Sequence, residues 1–370
     1  MIYVFYNNDP LAHDLGGGAE HFRGLHRALL KSGLDFHLVA ARLQDERTAP
    51  NIDYISQGAH FGRYYLALWR WFWSNRKRFC DGDVFHFHRN YAAWPKLTLA
   101  PDKGRVMISY HNVTGRVIEG VLGRAAAPLR RAMLFFERRV AALADSIVCV
   151  SNRDRRELAD LVDRGPFDRA RVIPAAFDQA LFKDEPPAPP AAGEAAKLLV
   201  LGRISHQKNM PLAIATLEHL QAEGHAFELT IAGDGEDARA LIRRIAESPA
   251  AASIRWIGRV AHDRVPQVIK EHGILLLSSR YEASPTVVKE ALRSMRPVVA
   301  TDVGDVPDWI EDDRTGFICQ QDAASLAEGV LAAHRLILEG RYQPTGRLDD
   351  LSEDAIMSKV VQLYRRLQAV

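Results

Sequence analysis

Two carboxylates eight residues apart, Glu282 and Glu290, lie in the stretch Ser278-Ser279-Arg280-Tyr281-Glu282-Ala283-Ser284-Pro285-Thr286-Val287-Val288-Lys289-Glu290. The preceding run Gly273-Ile274-Leu275-Leu276-Leu277 predicts a buried strand, and Ser284-Pro285 supplies a helix cap with proline at the first helical position. Glu282 then falls at the strand's carboxyl end and Glu290 inside the following helix. In open α/β sheets that edge is where ligands bind. The helix start at Thr286 and Val287 would offer unpaired N–H groups and the positive end of a dipole to a diphosphate. Glu282 would reach sugar hydroxyls and Glu290 would accept from a diol such as a ribose. The competing expectation is that both are ordinary exposed helix residues.

A second loop supplies the opposite charge. Gly202-Arg203-Ile204-Ser205-His206-Gln207-Lys208-Asn209 follows a strand-like run and precedes a helical one. Arg203 can grip phosphate oxygens bidentately and Lys208 adds a point charge, although two cations in a surface loop also suit plain solvation. Asp14-Leu15-Gly16-Gly17-Gly18-Ala19-Glu20 follows the first strand, and its glycines allow close backbone approach to a phosphate or sugar. It is not the G-x-G-x-x-G fingerprint, and glycine triplets also occur in simple flexible loops. His111 ends one strand, while His86 and His88 lie near the end of another. Three histidines suggest zinc, but without an H-E-x-x-H or cysteine-rich pattern no metal site is expected. Gly233-Asp234-Gly235-Glu236 and Gly258-Arg259-Val260 end two further strands and either border a ligand or merely turn the chain.

The Glu-x7-Glu pair, followed by Ala291-Leu292 and by Pro297-Val298-Val299-Ala300-Thr301-Asp302-Val303-Gly304-Asp305, resembles the signature of retaining GT-B glycosyltransferases of family 4, the glycosyl transferases group 1. The resemblance is strong over residues 197–320 and looser, though in register, over 1–180. It implies an α/β GT-B fold, with two Rossmann-like doubly wound parallel-sheet domains facing a central cleft. It further implies that Glu282 faces the donor sugar, Glu290 holds the nucleotide ribose, Arg203 and Lys208 bind the diphosphate, and His111 lies near the transferring sugar. Gly16 and Gly17 match the family's glycine loop; Gly202, Gly258, Val260, Ser284, Pro285, Thr286 and Val287 are carried over as donor-binding. Asn112 stands where the family often has an acidic residue.

The activity so implied is metal-independent, cofactor-free transfer of a hexose from a UDP- or GDP-linked donor to a glycan or lipid-linked acceptor, with retention, in cell-surface polysaccharide biosynthesis. Alternatives are a nucleotide-sugar epimerase or phosphorylase on the same fold, or a non-catalytic bilobed sugar-binding protein. No lysine is marked for the pyridoxal phosphate a phosphorylase would use.

These residues need two sheets to position them. A chain of 370 residues, 47% hydrophobic, exceeds one ordinary core. Twelve strand-like runs alternate with helical patterns: 2–6, 36–40, 84–88, 106–110, 146–150 and 172–174, then 198–201, 228–232, 254–257, 274–277, 298–301 and 317–319. The proline-dense run from Asp184 to Gly193 divides them. The expected domains are 1–183, a linker at 184–196, 197–350, and a final helix over 351–370 that crosses back to the first domain in GT-B enzymes.

Charge is asymmetric: residues 1–180 carry 26 Lys+Arg against 19 Asp+Glu, or +7, and the rest 22 against 27, or −5, summing to +2. Residues 63–79 and 124–139 interleave aromatic rings with Arg and Lys, a pattern that suits an anionic membrane surface or, equally, core helices. No nucleic-acid motif accompanies them. Cys80, Cys149 and Cys319 have no metal or redox spacing and read as reduced core or half-buried thiols. The start lacks a signal-sequence pattern, and no run of about 18 apolar residues occurs. A cytoplasmic protein, peripheral to the inner face of a membrane, is the expectation.

Overall fold

The computed structural model describes residues 1–11, 17–43, 48–58, 60–111, 127–182, 188–311, 313–343 and 352–369. The chain divides into two compact units, Met1–Ala176 with Glu353–Val370, and Phe177–Ser352. Gly16, Asn112 and Arg124 lie outside the described residues, as do 183–187 within the proline-rich run; residues 188–196 belong to the second unit.

In the first unit seven parallel strands run β1 (Ile2–Tyr6), β2 (Phe36–Arg42), β3 (Ile52–Gln57), β4 (Val84–Phe87), β5 (Arg105–Tyr110), β6 (Ser146–Cys149) and β7 (Arg171–Val172) along the chain. Their order in the sheet is β3-β2-β1-β4-β5-β6-β7. The second unit has six: β8 (Lys197–Leu201), β9 (Glu228–Ala232), β10 (Ile254–Gly258), β11 (Ile274–Leu277), β12 (Val298–Thr301) and β13 (Gly316–Cys319). These are ordered β10-β9-β8-β11-β12-β13. Each sheet reverses its winding once, between β1 and β4 and between β8 and β11, which creates a crevice at the strands' carboxyl ends.

Among the described residues there are thirteen strands where twelve were expected. The addition is β3, an edge strand with the sequence IDYISQ, of which Ile52 alone is buried. Its polar alternation gave no apolar run to find.

The central strands are apolar on both faces because helices cover both. On one face of the first sheet the Phe61–Asn75 helix seats Tyr64, Leu68 and Phe72, and the rings of Phe5 and Phe87 stack at 4.6 Å between centroids. On the other face the Gly17–Ser32 helix meets the last helix, Glu353–Gln368, through ion pairs Arg27–Glu353 and Lys31–Asp354. That helix buries Ile356, Met357, Val360, Val361, Leu363 and Tyr364. In the second unit Leu198, Val200, Ile214, Leu217, Leu276 and Val330 share one core.

Cys149 and Cys319 are buried, but Cys80 is an exposed thiol, which corrects the reading of all three as core or half-buried groups.

Candidate functional site

At the second sheet's switch point the loops after β8 and β11 are joined. The Ser278 hydroxyl donates to the Lys208 and Asn209 carbonyls at 3.0 and 3.2 Å, and the Arg280 N–H donates to the Gln207 carbonyl at 2.8 Å. Asn209 turns the chain with φ 53° and accepts from the Arg280 guanidinium at 2.9 Å. The seam fixes where Lys208 and Glu282 point.

Glu282 is no exposed helix residue: its side chain is 8% exposed and its carboxylate accepts three bonds. Lys208 Nζ lies 2.7 Å from Oε1, Ser279 Oγ donates to the same oxygen at 2.8 Å, and Gln207 Nε2 donates to Oε2 at 3.1 Å. Such a carboxylate is held in one orientation. The Gly304 loop braces it from behind. Gly304 has φ +54°, a Cβ there would lie 2.5 Å from the Ala283 carbonyl, and Asp305 N–H donates to that carbonyl at 3.1 Å.

Glu290 sits in the Thr286–Arg293 helix, 8% exposed, and burial pushes its carboxyl up to about 7 against the pull of Thr286, Lys208 and Lys289. The helix starts differently from the expectation. Pro285, not Ser284, stands at the cap position before the first turn, and it offers no side-chain cap bond. The Ser284 hydroxyl donates to Asp305 Oδ2 at 2.5 Å and accepts from Lys289 Nζ at 2.5 Å. Lys289 and Asp305 form an ion pair at 3.0 Å whose side chains are 0% and 2% exposed. Burial lowers the Lys289 ammonium's pKa, and Asp305 opposes the shift. The alternation of the helix conceals this pair: Lys289 points into the protein beside an Asp sixteen residues on.

Arg203 is exposed, with no hydrogen bond or ion pair to a described residue, at the rim of the same crevice. Gly202 donates its N–H to Ala232, and Gly233 donates to the Gly258 carbonyl at 2.7 Å. Gly233 has φ +140° and a Cβ there would stand 1.8 Å from the Gly202 carbonyl, so the loops after β8, β9 and β10 close on one another only because this residue has no side chain. Val260 is half-buried just beyond Gly258.

The first sheet's switch point is of another kind. His88, at the end of β4, and His111, at the end of β5, share a hydrogen bond of 2.8 Å between Nδ1 and Nε2. His21, in the helix that Gly17 opens, packs against both, with ring centroids 5.5 and 4.9 Å away. One ligand atom from each of the three lies within 4.8 Å of the others. His86, expected beside them, spends both nitrogens elsewhere, on Tyr364 Oη at 2.6 Å and Ser109 Oγ at 2.7 Å. Burial holds all four rings neutral: His21 falls to about 4, His86 to about 3, and His88 and His111 well below the ordinary value. His21 Nδ1 and His88 Nε2 have no partner among the described residues. Nothing in the sequence pattern marks His21 beyond its place one turn into the helix after the glycine loop.

Models of two protein families match the chain, one described as Glycosyltransferase Family 4 over residues 15–181 and one as Glycosyl transferases group 1 over 182–336. It is a glycosyltransferase of the family 4 type. Among curated relatives, the glycogen synthase of Mycobacterium tuberculosis is 28% identical over 292 residues, 76% of this chain and 68% of that protein. The phosphatidylinositol N-acetylglucosaminyltransferase GPI3 subunit of Saccharomyces cerevisiae is 23% identical over 236 residues, 61% of this chain and 51% of that one.

Solved structures agree on the fold. The sucrose-phosphate synthase of Thermosynechococcus elongatus superposes on the glycosyltransferase with a TM-score of 0.79 at 20% identity, covering 100% of this chain and 99% of that one. The Anabaena protein HepE, in complex with UDP and glucose, superposes with a TM-score of 0.70 at 13% identity, over 98% and 99%. Both Rossmann-like sheets therefore belong to a GT-B glycosyltransferase.

Proposed function

We propose that this glycosyltransferase moves a hexose, with retention, from a nucleoside diphosphate sugar to a glycan or lipid-linked saccharide in the assembly of a cell-surface polysaccharide. The observation that carries the reading is Glu282, fixed by Lys208, Ser279 and Gln207 at the second sheet's switch point, eight residues before the buried Glu290. Donors linked to UDP or GDP fit the proposal, and HepE, a neighbour in fold, was solved with UDP and glucose.

In the proposed reaction Glu290 accepts from the ribose hydroxyls. Lys208, Arg203 and the helix start at Thr286 balance the charge that grows on the departing diphosphate. Glu282 orients the donor sugar, and neutral His111 donates or accepts one hydrogen bond at the sugar. The leaving phosphate takes the acceptor's proton, so no separate base is assigned. Cations of the chain supply the charge that a metal would, and the reaction is proposed to need none.

Membrane association through residues 63–79 and 124–139 and a cytoplasmic site of action remain part of the proposal. Among the described residues no helix is long and apolar enough to cross a membrane. The test is NMR of the anomeric proton during turnover of UDP- and GDP-hexoses with saccharide acceptors. An α-linked product from an α-linked donor supports retaining transfer; an inverted product, or epimerised nucleotide sugar without transfer, contradicts it.

A further inference from the structure

The first unit holds a cavity of about 470 Å³ whose lining includes none of the clustered histidines. That is within the range of small-ligand pockets, about 300–1,000 Å³. Phe61, Tyr65 and Trp69 line it from successive turns of one helix, and Tyr91, Trp94 and Phe136 from the segments opposite. The rings brace one another: Phe61 meets Tyr91 edge-on at 4.6 Å and Trp94 meets Phe136 at 5.3 Å. Of the polar side chains on the wall, Asn90 and Glu137 are joined at 2.9 Å, and Glu137 is 3% exposed. An occupant therefore meets aromatic faces and aliphatic carbon.

The rim has its own character. Leu66, Trp73 and Phe135 stand 58–64% exposed on the two helices that form the pocket. Between them residues 63–79 supply five Arg and Lys with no acid, and residues 127–143 supply four Arg against Glu137 alone. Apolar side chains projecting through a basic field match the headgroup and acyl boundary of an anionic bilayer.

We propose that this pocket takes one hydrocarbon chain of an anionic membrane lipid, such as the lipid carrying the acceptor saccharide, while the basic rim rests on the surrounding headgroups. This deepens the proposed use of a lipid-linked acceptor and rests on it. A sugar is the poorer occupant because the lining is mostly apolar carbon, with Asn90 and Glu137 bonded to each other.

Calorimetric titration of the full chain with decyl phosphate, below its micelle concentration, tests the proposal. One saturable site is expected, with no heat from inorganic phosphate or methyl glucoside. Thr98→Phe and Met133→Trp, which fill the cavity from two sides, should each weaken binding at least tenfold with melting temperature and UDP binding unchanged. Co-sedimentation with phosphatidylglycerol vesicles should fall in Arg70→Glu. Equal binding of inorganic phosphate, binding of methyl glucoside, or undiminished affinity in both filled variants would overturn the proposal. So would binding that appears only after residues 112–126 are replaced by a Gly-Ser linker, since the chain itself would then be the occupant. UDP titration of the same samples separates failure of the pocket from failure of the glycosyltransferase site.

Discussion

The two sheets wind alike and reverse alike, yet their crevices are opposites in charge. At the second, Lys208 pairs with Glu282 near the buried Glu290; at the first, His21, His88 and His111 are neutral rings, His88 packed against Tyr6 and Phe22, with the Arg89 guanidinium over the Tyr6 ring. The backbone topology supplies a crevice in each case, and the side chains decide what each one suits.

Breaking the charged crevice should have the largest effect. Glu282→Ala and Lys208→Ala are expected to cut transfer about 10³-fold, on the scale of losing a group that stabilises transition-state charge, with melting temperature nearly unchanged. Lys208→Ala also leaves Glu282 bound by Ser279 and Gln207 alone. Initial rates with saturating donor check it, and normal rates in both would remove the second crevice from the chemistry.

Next comes the buried pair behind the site. Lys289→Met leaves Asp305 charged and uncompensated, and should cost about 3–5 kcal/mol in urea unfolding, whereas exchanging both for apolar residues should cost far less. His111→Ala, the corresponding break in the neutral crevice, should lower transfer by about 10²-fold while leaving UDP affinity unchanged.

Glu290 sharpens the comparison through pH. Its carboxyl is raised to about 7 in the fold, so the unliganded protein keeps the associated stability at low pH and loses it as pH rises through about 7. A ribose that donates to the carboxylate favours the ionised form, so affinity for UDP-glucose should rise several-fold between pH 6 and 8. Glu290→Gln should flatten that profile. The smallest expected effect is none: EDTA should leave transfer unaltered. Loss of activity in EDTA, restored by zinc, would instead assign His21, His88 and His111 as metal ligands.

Much of this was legible in the sequence, and the exceptions share a cause. Ile274–Leu277 and its neighbours are continuous apolar runs because parallel strands are buried on both faces, so their ends, and with them Glu282, are locatable by composition. β3 escaped because its sequence, IDYISQ, alternates polar and apolar residues and offers no such run. Ser284 has the type of a helix cap, but the helix takes Pro285 as its cap residue, and Ser284 also bonds Asp305 and Lys289. His21 and the Lys289–Asp305 pair depend on contacts between distant segments, which no local pattern encodes. The sequence of residues 63–79 suits a core helix and a surface one equally, and the helix does both: Tyr64, Leu68 and Phe72 face the sheet while Leu66 and Trp73 face outward.

The central claim is that the second crevice binds the donor's nucleotide. Isothermal titration of UDP and GDP into the wild-type protein and Glu290→Ala measures this most directly. The account predicts one site for one of the two nucleotides, weakened about tenfold or more by the substitution. Absence of binding by either nucleotide, or equal affinity in the variant, would contradict it.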